Sequence, residues 1–375
     1  MNPKLKEVAQ VFFKLGCFAF GGPAAHIAMM EDEIIEKRKW MTRDYFLDLI
    51  GTTNLIPGPN STEMTMHCGY ERAGKPGLFV AGISFIFPAT IITALLAFLY
   101  VKYGQLPKVE PFIYGIKPAV LAIIASAILK LGKKAIKSFE LVVLGLLVLS
   151  ASLLGVNEII ALLAAGILGM LYFYLKSKSN SSLNSVSPFL FFFGISTITA
   201  KVSTFKLFMI FLKVGAILYG SGYVLFAYLD AELVTRGLLT RAELIDAIAI
   251  GQFTPGPVLS TSTFIGYQLS GFTGALAATT GIFLPSFLFV LILNPFIPRM
   301  RNSKILRYFL DSVNVAAVAV MVAVLIAMTR ETLVEWQSIT IALIAVFLTF
   351  KTKISTIWII VMGAIIGFLL MILTT

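Results

Sequence analysis

Residues 142–155 read VVLGLLVLSASLLG, a run without a single charge, and similar runs recur along the chain. In a bilayer every backbone N–H and C=O must find a partner inside the protein, so only helices and closed barrels can span it. Barrel strands alternate apolar and polar residues; these runs do not. Helices therefore do the spanning. The balance of residue types agrees. The chain of 375 residues is 58% hydrophobic and 13% charged, against about 25% charged for a soluble domain. It cannot dress a water-facing surface of its size, which excludes a soluble globular enzyme and a disordered chain.

The chain also repeats itself. FFKLGCFAFGG (12–22) matches FLKVGAILYGS (211–221), setting Lys14 against Lys213 and Gly16 against Gly215, with Glu33 against Glu232 further on. TRDYFLDLIGTTNLIPGP (42–59) matches TRAELIDAIAIGQFTPGP (240–257), identical at seven of 18 positions. The match continues through Gly69-Tyr70 and Gly266-Tyr267, Gly74 and Gly271, Gly77 and Gly274, Pro88 and Pro285. Duplication divides the chain into a first membrane repeat, 1–178, a linker with an interfacial segment, 179–204, and a second repeat, 205–375. The polar stretch SKSNSSLNSVS (177–187) opens the linker.

A span takes about 20 mainly apolar residues. The first half offers 8–29, 77–101, 112–130, 139–155 and 158–175. The second offers 205–228, 272–298, 308–328, 337–350 and 354–373. Pieces 45–56, 61–71, 243–254 and 258–269 are too short to cross. Pro57, Pro59, Pro255 and Pro257 forbid continuous helix between them. The expectation is five spans and one Pro-Gly-Pro re-entrant hairpin per half, buried in protein or beside a wet cavity. An odd number of spans points the halves opposite ways. Lysine and arginine fall accordingly: the rich loops are 31–44, 130–137 and 176–178 in the first half and 299–307 in the second. The basic cluster changes loops between halves, as an inverted repeat requires. Segment 188–200, at 13 residues, reads as interfacial; as a full span it would change the parity. The fold expected is an all-α integral membrane protein with inverted-topology repeats. Most of the net charge of +11 is then loop bias, with anion attraction as the other reading.

Inverted repeats with broken helices place substrates where the breaks meet. Here that points to Pro57-Gly58-Pro59 and Pro255-Gly256-Pro257, preceded by Asn54 and Gln252. Each turn is followed by a helix start, Asn60, Ser61 and Thr62 in one half, Ser260, Thr261 and Ser262 in the other. Free N–H groups, a positive dipole end and hydroxyl donors suit a tetrahedral dianion. The plainer reading is that these residues cap helices. Lys14 and Lys213, inside apolar helices, either face a cavity or snorkel to the interface. Asp48 and Asp246 are equivalent and either pair with those lysines, pair with Arg43 and Arg241, or carry protons. Gly21-Gly22-Pro23 breaks an apolar helix, and His26 follows it as a titratable or a packing residue. Glu63, opposite Thr261 in the repeat, either complements a helix dipole or carries a coupling proton.

These residues bear a family resemblance. GCFAFGGPAAHIAMMEDEIIEKRKWMT with NLIPGPNSTEMTMHCGYERAGKPGLFVAGISFIFPA resembles the chromate ion transporter family, long two-domain type, over nearly the whole chain. The matching positions are Phe20, Gly21, Gly22, Pro23, His26, Trp40, Pro57, Gly58, Pro59, Asn60, Gly69, Gly74 and Pro88. The resemblance implies a prokaryotic cytoplasmic-membrane carrier that exports chromate and confers resistance, with sulfate as the related oxyanion and a proton gradient or counter-anion as drive. The second half keeps Pro255, Gly256 and Pro257 but lacks the Gly-Gly-Pro-x-x-His run. A carrier of another small anion, such as an organic acid, and an anion channel stay open. A membrane enzyme has no support in HExxH, P-loop or triad patterns. Two cysteines and two histidines make a Cys/His metal cage unexpected, no cofactor pattern occurs, and the expected partners are the oxyanion and the bilayer, not nucleic acid. Gly145, Gly166 and Gly169 allow close helix packing, within the chain or in a homodimer.

Overall fold

A computed structural model describes residues 2–20, 22–53, 56–104, 106, 109–178, 203–219, 222–294, 303–352 and 354–374. Gly21, Asn54 and the interfacial segment 188–200 lie outside these residues. Helix α1 (Pro3–Phe18) starts at a proline, with the Asn2 side chain accepting from the Lys4 N–H at 3.0 Å. It ends at Ala19, and α2 (Pro23–Glu31) begins after Gly22, whose φ is +80°. The single span expected over 8–29 is thereby corrected. Lys14 meets Glu33 at 3.1 Å, Phe12 packs edge-on to Trp40, and the Trp40 indole donates to Glu7. The segment after α2 thus lies back against α1, and the chain doubles back. The second half does the same. Helix α8 (Thr204–Ile217) breaks before a short 3-10 turn (Gly222–Val224) and α9 (Leu225–Leu229), and Lys213 meets Glu232 at 2.7 Å. The span expected over 205–228 is corrected likewise. In both halves the glutamate sits on a π-helical turn, Asp32–Lys37 and Asp230–Val234.

The next elements are α3 (Arg43–Thr53) and α4 (Asn60–Tyr103) in the first half, and α10 (Arg241–Phe253) and α11 (Thr261–Leu293) in the second. Helix α4 leaves helical geometry at Ala73 and Gly74, and α11 at Ser270 and Gly271, with nearly the same dihedrals. Gly69 and Gly77 would lie about 12 Å apart in a straight helix, yet a Cβ on Gly69 would strike the Gly77 carbonyl; Gly266 and Gly274 repeat the relation. The bend is thus a reversal, and the arm before it lies back along the preceding helix. Tyr45 donates to Glu71 at 2.9 Å across the first pair, and Gln268 to Glu243 at 2.7 Å across the second.

Three helices complete each half: α5 (Glu110–Ala135), α6 (Phe139–Leu153) and α7 (Glu158–Lys178), then α12 (Lys304–Thr332), α13 (Trp336–Lys351) and α14 (Thr356–Thr374). Among the described residues, six helices are long and apolar enough to cross a membrane, α4, α5, α7, α11, α12 and α14, while α6 and α13 are shorter apolar helices. Among the described residues each half thus shows three such helices and one shorter one, where five spans were expected. The halves exchange partners: α5 packs on α13 and α14, and α12 on α6 and α7. Small residues permit this closeness, since a Cβ on Gly115 would strike the backbone of Gly367. Gly145, Gly166 and Gly169 lie against Val315, Val313 and Ser312 of α12, so that stripe packs within the chain. Leu147, Leu168, Leu343 and Trp358 stand exposed on the outer face, a surface that suits acyl chains and not water.

Candidate functional site

The breaks in the helices come together. The Gly58 N–H donates to the Leu218 carbonyl at 2.6 Å, and the Gly256 N–H donates to the Ala19 carbonyl at 2.9 Å. Gly58 and Gly256 are equivalent in the repeat, as are Ala19 and Leu218. Each Pro-Gly-Pro turn is therefore fastened to the helix break of the other half. Proline supplies no N–H, so the glycine offers each turn's one backbone donor, and it goes across the repeat. The glycines have φ of +143° and +85°, the region that glycine enters without steric cost.

Beside this junction lies a cavity of about 500 Å³. Pro23 at the start of α2, Asn60 at the start of α4 and Tyr223 of the 3-10 turn line it, with Ser126, Lys130 and Lys134 of α5. Two helix N-termini thus meet one space. The positive dipole ends of two helices favour an anion there, and two lysines on one face of α5, four residues apart, attract it. Sequence reasoning counted Lys130 and Lys134 as loop charges. Their i, i+4 spacing at the end of an apolar helix was the available signal. Tyr223 and Ser126 had none.

The remaining sequence-derived candidates fall in several places. Pro57, Gly58, Pro59, Ser61 and Thr62 are buried at the first turn, and Pro255, Gly256, Pro257, Ser260 and Thr261 at the second. Thr261 donates to the Val258 carbonyl at 2.8 Å and Ser260 lies 3.4 Å from the Thr254 hydroxyl, so the second set is engaged in capping its own turn. Thr62 Oγ1 and Gln252 Nε2 are buried without a hydrogen-bond partner. His26 donates from Nε2 to the Ala19 carbonyl at 3.1 Å and packs edge-on to Phe85, bracing the first break. Lys14 and Lys213 line neither described cavity; each is held by its glutamate. Asp48 is exposed on α3.

Asp246 is not paired with Lys213 or with Arg241. It accepts from Tyr100 at 2.6 Å and lies 3.4 Å from Lys117, both from the first half. Arg241 pairs instead with Asp230, and Arg43 with Glu31. Asp246, Tyr100 and Lys117 line a second cavity of about 390 Å³, with Glu110, Glu243 and Gln268. At the turn after α2, burial works against ionisation of Glu33, but donors from Lys37, Lys14 and Arg38 outweigh it and hold its carboxyl down at about 2. Among the described residues no cluster of histidine, cysteine and carboxylate side chains could hold a metal ion.

Comparison with known proteins gives a consistent result. The chain matches the family described as chromate transporter over residues 6–170 and 205–368. It is 29% identical to a probable chromate transport protein of Synechococcus elongatus, over 97% of this chain and 95% of that one. It is likewise 29% identical to a chromate transport protein of Cupriavidus metallidurans, over 93% of this chain and 88% of that one. A shorter relative, an uncharacterized transporter of Bacillus subtilis, is 23% identical over 42% of this chain and 91% of its own length. No solved structure matches.

Proposed function

This chain belongs to the chromate transporter family, and on that premise we propose that it is a secondary carrier of a tetrahedral oxyanion, chromate foremost, in a prokaryotic cytoplasmic membrane. The observation that carries this reading is the cavity that brings the N-termini of α2 and α4 together with Lys130 and Lys134. A dianion entering past the lysines reaches Asn60 and two dipole ends. These donors are fixed in advance, so binding demands little reorganisation.

The carrier works by alternating access between two inverted repeats. The end of α5 that holds Lys137 meets Asp311 near the start of α12, its counterpart, at 2.6 Å. The far end of α4 and the start of α5 meet Asp246 of α10. Like elements therefore lie head to tail, which supports inversion. A relative about one repeat long supports the repeat as a unit. Lys37, Lys130, Lys134, Lys137 and Lys176 gather at one end with Lys304, and the positive-inside rule makes that end cytoplasmic. The larger cavity then opens to the cytoplasm, as loading for export requires.

Purified protein in vesicles tests the reading by flux of labelled chromate. Saturable flux suppressed by sulfate is expected, because sulfate has the same shape and charge. Suppression by an organic acid but not by sulfate would assign a different anion, and flux that never saturates would indicate a channel. Chromate flux no faster than in empty vesicles would overturn the assignment.

A further inference from the structure

We infer that Glu63 is a proton-binding site that travels with the oxyanion, completed by Ser286 from the other half of the chain. This rests on reading the chain as an oxyanion carrier. Glu63 stands on the first turn of α4 and is fully buried. Neither of its carboxyl oxygens has a hydrogen-bond partner, and the Oγ of buried Ser286 has none either. Both groups converge on Gly58: a Cβ there would collide with Glu63 Oε1 and lie 2.6 Å from Ser286 Oγ. The missing side chain at Gly58 thus leaves room for the carboxyl beside the turn that joins the two halves.

Among the described residues no ion pair reaches Glu63. Tyr219 of the other half follows Leu218, whose carbonyl accepts from the Gly58 N–H. His67 lies one turn further along α4. On the packed elements, Lys14 of α1 is held by Glu33, His26 of α2 by the Ala19 carbonyl, and Asp246 of α10 by Tyr100 and Lys117, while Asp48 of α3 is exposed. A buried carboxylate without a donor or counter-charge is disfavoured; a proton on either oxygen removes the charge. The second half has Thr261 in place of Glu63, and Ala89, the counterpart of Ser286, against Gly256. The proton site is therefore single, although the turn is double.

Asn60 lines the cavity one turn before Glu63. A dianion there raises the cost of an ionised carboxylate, so anion and proton bind together. The O–H bond forms with a proton from water on the loading side and breaks to water on the other. One proton accompanies each dianion, and the complex moves one net negative charge. An inside-negative potential still drives that charge outward.

Vesicles loaded with a pH-sensitive dye and exposed to a chromate gradient at alkaline pH, where chromate is the dianion, test this. The wild-type chain is expected to move protons with chromate, in the same direction. Glu63→Gln is expected to retain chromate–chromate exchange, which also shows that it folds, and to lose proton movement at least tenfold. Ser286→Ala should shift the pH dependence of flux and leave exchange at saturating chromate unchanged. Chromate flux in the wild type without proton movement, protons moving against chromate, unchanged proton movement in Glu63→Gln, or loss of exchange in that variant would each overturn the inference. Absence of any oxyanion flux in the wild type would instead defeat the carrier reading itself.

Discussion

The Gly58 N–H and the Leu218 carbonyl, 160 residues apart in sequence (218 − 58), are joined by a hydrogen bond of 2.6 Å, and Gly256 makes the same bond to Ala19. Two irregular turns thus hold each other's half of the molecule. A backbone hydrogen bond contributes only about 1 kcal/mol net, but these two tie each turn to the other half.

Gly58→Ala and Gly256→Ala should both be costly, since each puts a Cβ at positive φ and into contact. At Gly256 that atom would lie 2.8 Å from the Ala89 Cβ. We expect a loss of about 2–3 kcal/mol in stability and of at least tenfold in chromate flux. Melting in detergent and vesicle flux measure the two. Ala89→Gly should restore part of the stability of Gly256→Ala and none of that of Gly58→Ala.

The two lysine–glutamate pairs should differ in weight. Glu33 retains Lys37 and Arg38 when Lys14 is removed, whereas among the described residues Glu232 retains Arg236 alone when Lys213 is removed. Lys14→Ala should cost below about 1 kcal/mol and Lys213→Ala about 2 kcal/mol or more. The charge exchange Lys213→Glu with Glu232→Lys should recover part of that loss in a melting experiment.

Glu33 also sets an acid limit. Its carboxyl lies at about 2 in the folded chain against an ordinary 4.5. Between those values the unfolded chain binds the proton and the folded chain does not. The contribution is therefore complete above about pH 4.5 and falls away as pH drops towards about 2. Glu33→Gln should flatten this part of the stability profile.

Lys130 and Lys134 should act on capture of the anion. Replacing both with glutamine is expected to raise the KM for chromate several-fold with little change in maximal flux, and to weaken its salt dependence. Arginine at both positions should restore the wild-type KM. An unchanged KM in the double variant would remove these lysines from the entry path.

Tyr100 and Asp246 hold α10 against the first half, whereas α3, the counterpart of α10, packs chiefly on α4. Tyr100→Phe deletes a hydrogen bond to a carboxylate, worth about 1.5–3 kcal/mol. It should open the smaller cavity more often. A cysteine at Gln252, with Cys17 and Cys68 replaced by serine, should then react faster with an impermeant thiol reagent from that side.

Sequence reasoning reached the all-helical membrane character and the family, because both are written in local pattern. It named Pro23 and Asn60 as binding candidates, and the structure brings both to one cavity. It misread 8–29 and 205–228 as spans, since apolar length does not reveal a chain that turns back on itself. Lys14 and Glu33 were both noted in the repeat, but only the turn at Ala19–Gly22 brings them together. Ser286 was invisible because its neighbour, Gly58, lies in the other half.

Composition and repetition alone required a helical membrane protein built twice from one unit, for apolar runs admit no other spanning backbone. Only the tertiary structure decided which lysines face a cavity, which carboxylate stands alone, and that the broken tips of one half are bonded to the other. Those are contacts between residues far apart in the chain. They depend on how the helices cross, and a buried polar group acquires its chemistry from whichever neighbours that crossing supplies.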